Sequence, residues 1–496
     1  MRSWFTTVPA ALGVAVAMFA CGGGDNASDA GQSGIDGGGQ DAAVADIGVV
    51  DAGGGDVGPV LKVAACGMAA YEPVTSDELG RWVDYEEIPA LNLDAKSVDA
   101  LLAQAGYNAL SPVPYGCHVY RYRYKTQDRG KLVEATGTIG FPANGPLPAG
   151  EVPFGVFLHG TTGFADPCAP SRTLDGQATA ALIASLGFVA VAPDYIGMNG
   201  FGDPSTTTHI YCGGEQIGFG SWDALRAAQK LTTKLKPGVT TGNSTIIWGG
   251  SQGGHAALFM ELYGPYYGPE FDVKAVVAAV PPSVLAPLAK KAMEAFSPPT
   301  IAFGAVLTTM REWYGEPADL KTVITDDPPY NFASTLHDQI FVKDTCNTGD
   351  AYQDIKNHPE LERPDYMYKQ AFIDAILNDH LDQFPPWDCF MRENSLGDSS
   401  VKPLRFTPTY MIYSQNDDLV VTEPMRQDFE RLCGMGFTLD YLECAAAGHS
   451  DGAIWSLPEQ YAWIKDRLAG TPLAAGACMR KDAVCCSASP ADKCTK

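Results

Sequence analysis

Positive charge is what this chain has least of. Lysine and arginine number 34 against 58 aspartates and glutamates, a formal net charge of −24 at pH 7. Nucleic acid demands basic surface, so it is excluded as a partner, and such an acidic body is not drawn electrostatically to anionic lipid. Long apolar runs are missing as well. Beyond Val8 to Ala20 no stretch is long and apolar enough to span a bilayer. The last four cysteines, Cys478, Cys485, Cys486 and Cys494, follow C-x6-C-C-x7-C and lack the C-x2-C knuckles of structural zinc sites. Histidine is scarce, with 8 in all, which narrows the search for a base.

What the chain does have is concentrated at Thr245-Ile246-Ile247-Trp248-Gly249-Gly250-Ser251-Gln252-Gly253-Gly254-His255. An apolar β-type run meets glycines, sets a serine between them and continues into a helical pattern. Gly249 to Gly253 fits G-x-S-x-G, the nucleophile elbow of α/β-hydrolases. A serine hydroxyl is a weak nucleophile. It has to project from a sharp turn, reach a base and sit beside N–H groups at a helix start, and the glycines allow the backbone approach this needs. The competing reading is a glycine-rich turn with an idle serine. The strand before and the helix after favour the elbow.

At the N-terminus, Arg2 precedes the apolar run Val8 to Ala20, which is too short for a membrane span and suits a signal peptide over residues 1–20. Met18-Phe19-Ala20-Cys21 resembles a bacterial lipoprotein signal, which implies acylation of Cys21 and a membrane anchor through it. Phe19 is bulky for that motif, so cleavage by ordinary signal peptidase is the other reading. Residues 21–59 are rich in glycine, alanine and aspartate without lysine or arginine. They bury too little apolar surface to offset chain entropy and read as a flexible tether. There are 13 cysteines; with Cys21 set aside an even number remains, suited to disulfides in an oxidising compartment. Cys433 and Cys444 are spaced for a local pair, and residues 471–496 read as a small stapled appendage.

Residues 60–117 form an N-terminal extension with one helix near Lys96 to Gly106, and residues 118–470 form the body. Two strands flank the hairpin signal Gln127-Asp128-Arg129-Gly130. Strand Phe154 to Leu158 follows, then helix Leu174 to Leu186, strand Phe188 to Ala192, helix Ser221 to Leu235, the elbow strand, and strand Val273 to Val280. This alternation predicts a mainly parallel sheet with helices on both faces. Functional groups of such sheets gather at the strands' carboxyl ends, here His159, Asp194, Ser251 and Pro281. From 281 to 406 the rhythm is lost. Leu285, Leu288, Ala289, Ala292, Met293 and Phe296 share a helical face, and Tyr368, Phe372 and Ile376 suggest another, so the segment reads as a helical cap insertion.

"HGTTGFADPCAPS" from His159, "PDYIGM" from Pro193 and "GGSQGG" from Gly249 together resemble the secretory lipase family of fungi and bacteria, within the α/β-hydrolase superfamily. The likeness covers roughly residues 118–470. It implies an α/β-hydrolase fold and makes the backbone N–H groups of Thr161 and Gln252 the oxyanion donors. The family's usual aromatic residue before the serine is replaced by Gly250. His159 itself reads as structural, since the motif uses backbone.

The sheet resumes at Thr409 to Tyr413, followed by Ser414-Gln415-Asn416-Asp417-Asp418-Leu419. An aspartate past a late strand is where this fold keeps its triad acid. Spacing selects Asp417, with Asp418 the alternative. His449, in Gly448-His449-Ser450, is the histidine between that strand and the C-terminus. The order Ser251, Asp417, His449 is that of α/β-hydrolases. His255 reads as packing, and His118, His209, His337, His358 and His380 fall out of order.

These readings converge on an extracytoplasmic, lipid-anchored serine carboxylic-ester hydrolase, a lipase or esterase, acting through an acyl-enzyme on an ester or lipid substrate. Such chemistry needs no metal and no organic cofactor. Acyl transfer or peptide hydrolysis on the same triad is one rival; a non-catalytic adhesion module on the cell surface is another. Oligomeric state leaves no signature in the sequence.

Overall fold

The computed structural model describes residues 61, 65–104, 110–235, 237–315, 318–328, 331–334, 346, 363–474 and 477–494. The signal run, Cys21 and the tether lie outside these residues. The core is a nine-stranded sheet in the order β1-β2-β3-β5-β4-β6-β7-β8-β9. Strands β1 (Trp82–Glu87), β2 (Gly116–Asp128), β3 (Lys131–Ala143) and β5 (Val189–Pro193) pair antiparallel in that sequence. Strands β4 (Glu151–Leu158), β6 (Thr240–Gly250), β7 (Asp272–Ala279), β8 (Thr409–Ser414) and β9 (Leu439–Cys444) continue from β5 all parallel. This is the α/β-hydrolase fold.

The local chemistry explains most elements. Asp128 pairs with Lys131 across a two-residue turn in which Arg129 (φ 46°) and Gly130 (φ 70°) are both left-handed, the primed turn that matches strand twist. The central strands are apolar on both sides because helices cover both faces. One face packs Ile246, Trp248, Val277 and Ile412 against helix Leu174–Ser185 and the C-terminal helix Leu457–Leu468. The other packs Val156, Ile247 and Val276 against helices Gly214–Leu235 and Gln252–Tyr267.

Three elements differ from expectation. Trp82–Glu87 lies in the stretch read as an extension but is a sheet strand; as an edge strand with only partly covered side chains it carries little hydrophobic signal. The helix expected from Ser221 starts at Gly214. Its early glycines, which read as loop, are contact points: a Cβ on Gly214 would lie 2.2 Å from the Phe259 ring of the elbow helix. The stretch after Met293 holds a second long helix, Pro298–Tyr314, buried on nearly every side and so without amphipathic period. Together with Ala286–Glu294, Gln370–Leu377 and Pro385–Glu393 it builds a separate apolar cluster between β7 and β8. That cluster also takes in Phe164, Ile210 and Tyr211 of the body.

Five disulfides join described residues: Cys66–Cys389, Cys168–Cys346, Cys433–Cys478, Cys444–Cys486 and Cys485–Cys494. Cys433 and Cys444 do not pair with each other. Cys433 stands near the end of helix Thr422–Gly434 and Cys444 at the far end of β9, so the length of the strand, roughly 15 Å, lies between them and each takes a partner from the tail instead. The tail, read as a small stapled appendage, also bonds to the body through its main chain. Cys478 N–H bonds Leu439 O (2.7 Å), Val484 N–H bonds Glu443 O (2.9 Å) and Ala445 N–H bonds Val484 O (2.8 Å), closing the open edge of β9. Cys117 and Cys212 are buried outside these disulfides. Peptide mapping of the unreduced, denatured chain should therefore recover the five cross-links and find Cys117 alkylated. A Cys433–Cys444 peptide would contradict the fold of the tail.

Candidate active site

The elbow is set by close contacts between three backbone segments. β6 ends at Gly250 and helix Gln252–Tyr267 begins one residue after Ser251, which sits at φ 56°, ψ −123°. For a non-glycine residue such a conformation costs about 1–3 kcal/mol and persists only when its surroundings enforce it. Here Ser251 N–H donates to Ala279 O of β7 (2.8 Å), while His255 N–H donates to Ser251 O (3.1 Å). Any Cβ on Gly253 would lie 1.9 Å from Leu158 O, and one on Gly249 2.1 Å from Gly253 O. Neither neighbour is a side chain able to yield, so glycine is required at both positions.

His449 Nε2 lies 2.8 Å from Ser251 Oγ. On its far side Nδ1 lies 2.9 and 2.8 Å from the two Asp417 oxygens. The Asp417 carboxylate also accepts the N–H groups of Leu419 (3.0 Å) and Val420 (2.8 Å). Asp418, the alternative acid, is exposed and acts on the ring only as a nearby charge. The loops bearing acid and histidine brace each other: Asn416 N–H bonds Ala447 O (2.8 Å), Ala446 N–H bonds Gln415 Oε1 (2.9 Å), and Gly452 N–H bonds Ser414 Oγ (3.1 Å). Serine, aspartate and histidine are all nearly closed to solvent, with Ser251 only 2% exposed.

Of the two expected N–H donors, Gln252 opens the elbow helix, where the first N–H groups have no partner within the helix. Thr161 lies just beyond β4, its hydroxyl donating to Tyr211 OH (2.8 Å). His159 is packing: its ring stacks on Tyr195 at 4.1 Å and burial pushes its pKa down to about 4. His255 is also interior, with Nε2 2.9 Å from Asn394 O. Asp194 closes β5 by accepting Ser171 N–H (2.7 Å) and the hydroxyls of Ser171 and Thr136; burial raises it to about 6. His209, which sequence order discarded, is brought against Gln252, with 2.6 Å between the two Nε2 atoms. No spacing rule links positions 43 residues apart, so only the fold reveals that contact.

Residues 156–462 match the alpha/beta hydrolase family, a span that contains the elbow, the acid loop and the histidine loop. The chain belongs to that family. Among solved structures, this hydrolase resembles the rice cell wall degrading esterase LipA from Xanthomonas oryzae, with a TM-score of 0.62, 17% identity, and coverage of 79% of this chain and 100% of that one. It also resembles the closed state of Candida antarctica lipase A, with a TM-score of 0.60, 15% identity, and coverage of 84% and 88%. A comparison with curated protein sequences finds no match. At such identities the likeness carries fold.

Electrostatics distinguish His449 from the other interior histidines of the hydrolase. Burial pulls its pKa down, but the Asp417 carboxylate, by charge and by hydrogen bond, with Asp418 behind it, outweighs burial and leaves it above 6.5. The ring is therefore charged up to that raised midpoint and becomes a proton acceptor as pH climbs through it. Histidine NMR titration should give His449 a midpoint above 6.5. In Asp417→Asn burial acts without the carboxylate opposite Nδ1, and the midpoint should drop below 6.5. A wild-type midpoint at or below 6.5 would contradict the pairing.

Proposed function

We propose that the protein is a serine carboxylic-ester hydrolase of the lipase and esterase kind. The observation that carries the reading is the unbroken hydrogen-bonded line from Asp417 through His449 to Ser251 at a positive-φ elbow. In this reading His449 Nε2 takes the Ser251 proton as Oγ attacks the ester carbonyl carbon. The resulting oxyanion is held by the N–H groups of Thr161 and Gln252, a pair of donors each worth about 10²–10³ in rate. Collapse expels the alcohol, which leaves with the proton from His449. Water, deprotonated by the same ring, then attacks the acyl-serine, and the carboxylic acid departs as Ser251 regains its proton. Asp417 keeps the ring in the tautomer with Nδ1 protonated.

The substrate class is assigned by likeness. The resemblance of three motifs to those of secretory lipases and the fold shared with an esterase and a lipase support an ester bond rather than a peptide. A short panel of p-nitrophenyl esters and peptides, run with a serine-directed fluorophosphonate, tests this. Wild type should label and cleave esters, while Ser251→Ala should fold, fail to label and lose about 10⁴-fold or more in turnover. Full activity in that variant would move the nucleophile elsewhere; peptide cleavage without ester cleavage would favour the peptidase reading; no labelling at all would favour a non-catalytic module.

Five disulfides support residence in an oxidising, extracytoplasmic compartment. In the same reading Cys21 carries a lipid anchor and the acidic tether holds the body off the membrane. Cys21→Ser should shift the enzyme from the membrane to the soluble fraction with unchanged specific activity. A wild-type chain already soluble with an unmodified N-terminus would refute the anchor alone.

A further inference from the structure

The two oxyanion donors of the proposed site come from different strands. Thr161 follows β4 and Gln252 follows β6; the two strands are paired up to Leu158 and Gly249, and both donors lie beyond that last pair, where contacts outside the ladder add to what holds their spacing. One short loop, His209-Ile210-Tyr211, touches both. His209 reaches the Gln252 amide (2.6 Å), and Tyr211 OH receives the Thr161 hydroxyl (2.8 Å). We propose that His209 and Tyr211 are positioning residues that fix the oxyanion donors, His209 acting through Gln252 and Tyr211 through Thr161. This rests on the ester-hydrolase reading above and adds to it a cross-brace.

The loop is built to hold still. The His209 ring is fully buried and lies nearly parallel to Tyr195, with centroids 5.5 Å apart and an interplanar angle of 9°. Tyr195 in turn stacks on His159 and donates its hydroxyl to His159 O (2.8 Å), two residues before Thr161. Ile210 N–H bonds Gln216 Oε1 (2.9 Å), and Gln216 Nε2 bonds Thr208 O (2.9 Å), clamping the loop from the helix below. From the insertion, Thr309 Oγ1 accepts Tyr211 N–H (3.1 Å). Burial, with the charge of His159, pushes the His209 pKa down to about 3, so the ring is neutral over the working range. A neutral imidazole and an amide form one hydrogen bond in either orientation of the amide. Gln252 Oε1 has no hydrogen-bond partner among the described residues, so the contact of Gln252 Nε2 with His209 Nε2 is the polar restraint on that side chain.

The physical consequence is preorganisation. Fixed dipoles stabilise a developing oxyanion because they need not reorient, and a donor free to shift by a fraction of an ångström loses much of that advantage. The brace should therefore act on the transition state and leave substrate binding nearly alone.

Steady-state kinetics on p-nitrophenyl butyrate, normalised to fluorophosphonate-titrated sites, test the brace with His209→Phe, Gln252→Met and the double variant. Each single change should lower kcat about tenfold with KM held within about twofold. The double variant should be no worse than the poorer single, because both remove one shared bond. Inhibition by a trifluoromethyl ketone, which forms a tetrahedral adduct, should weaken in step with the fall in kcat/KM. Tyr211→Phe deletes only a hydroxyl; it should cost several-fold and compound with His209→Phe, since it frees the other donor. Should the buried His209 variant fail to fold, Gln252→Met and Tyr211→Phe decide the matter. Unchanged kcat in folded variants, losses confined to KM, or additive effects of His209→Phe and Gln252→Met would overturn the proposal while leaving the ester-hydrolase reading intact. A wild type that neither labels nor cleaves esters would take down both.

Discussion

Gly253 approaches the end of β4 so closely that a single added carbon would lie 1.9 Å from Leu158 O. Through that contact the elbow helix is drawn against two strands at once, and the turn between β6 and the helix is left too short for any relaxed conformation. Ser251 takes up the difference at φ 56°. The strain of about 1–3 kcal/mol is small beside the burial around it, since the elbow strand and helix are apolar on nearly every face. Geometry at Ser251 is thus a by-product of packing in the sheet's centre.

A second constraint governs the other half of the site. Asp417 and His449 stand on loops after β8 and β9, at the sheet's far edge, where an open strand would normally be the least restrained part of the fold. Three hydrogen bonds join the loops to each other, and the C-terminal segment adds main-chain bonds along β9 with two disulfides into it and the preceding helix. The tail acts as a restraint on the strand that feeds the histidine loop.

Legibility in the sequence follows the range of the interaction. The elbow was readable because its requirements fall within five consecutive residues, and Asp417 and His449 because their order and distance from strands are local properties of their loops. The hairpin at Arg129-Gly130 was readable for the same reason. What escaped depends on partners remote in the chain. The tail cysteines pair with Cys433 and Cys444 across more than 40 residues. Helix Pro298–Tyr314 is buried on nearly all sides, so it lacks the polar stripe that betrays a surface helix. Gly214 resembles a loop residue until the Phe259 ring is placed against it.

The histidines show how one physical term yields opposite outcomes. His159, His209 and His255 are deep in the protein, and burial drives them to about 4, 3 and 4, so they serve as neutral hydrogen-bonding rings at any ordinary pH. His449 is buried too, and burial is again the largest influence on it, yet its pKa rises. The difference is the Asp417 carboxylate at 2.8 Å, which favours the imidazolium enough to reverse the sign. A ring poised in this way can accept a proton from serine and return it. The three neutral rings can only hold other groups in place, and for His209 that group is the side chain of the residue directly after the serine.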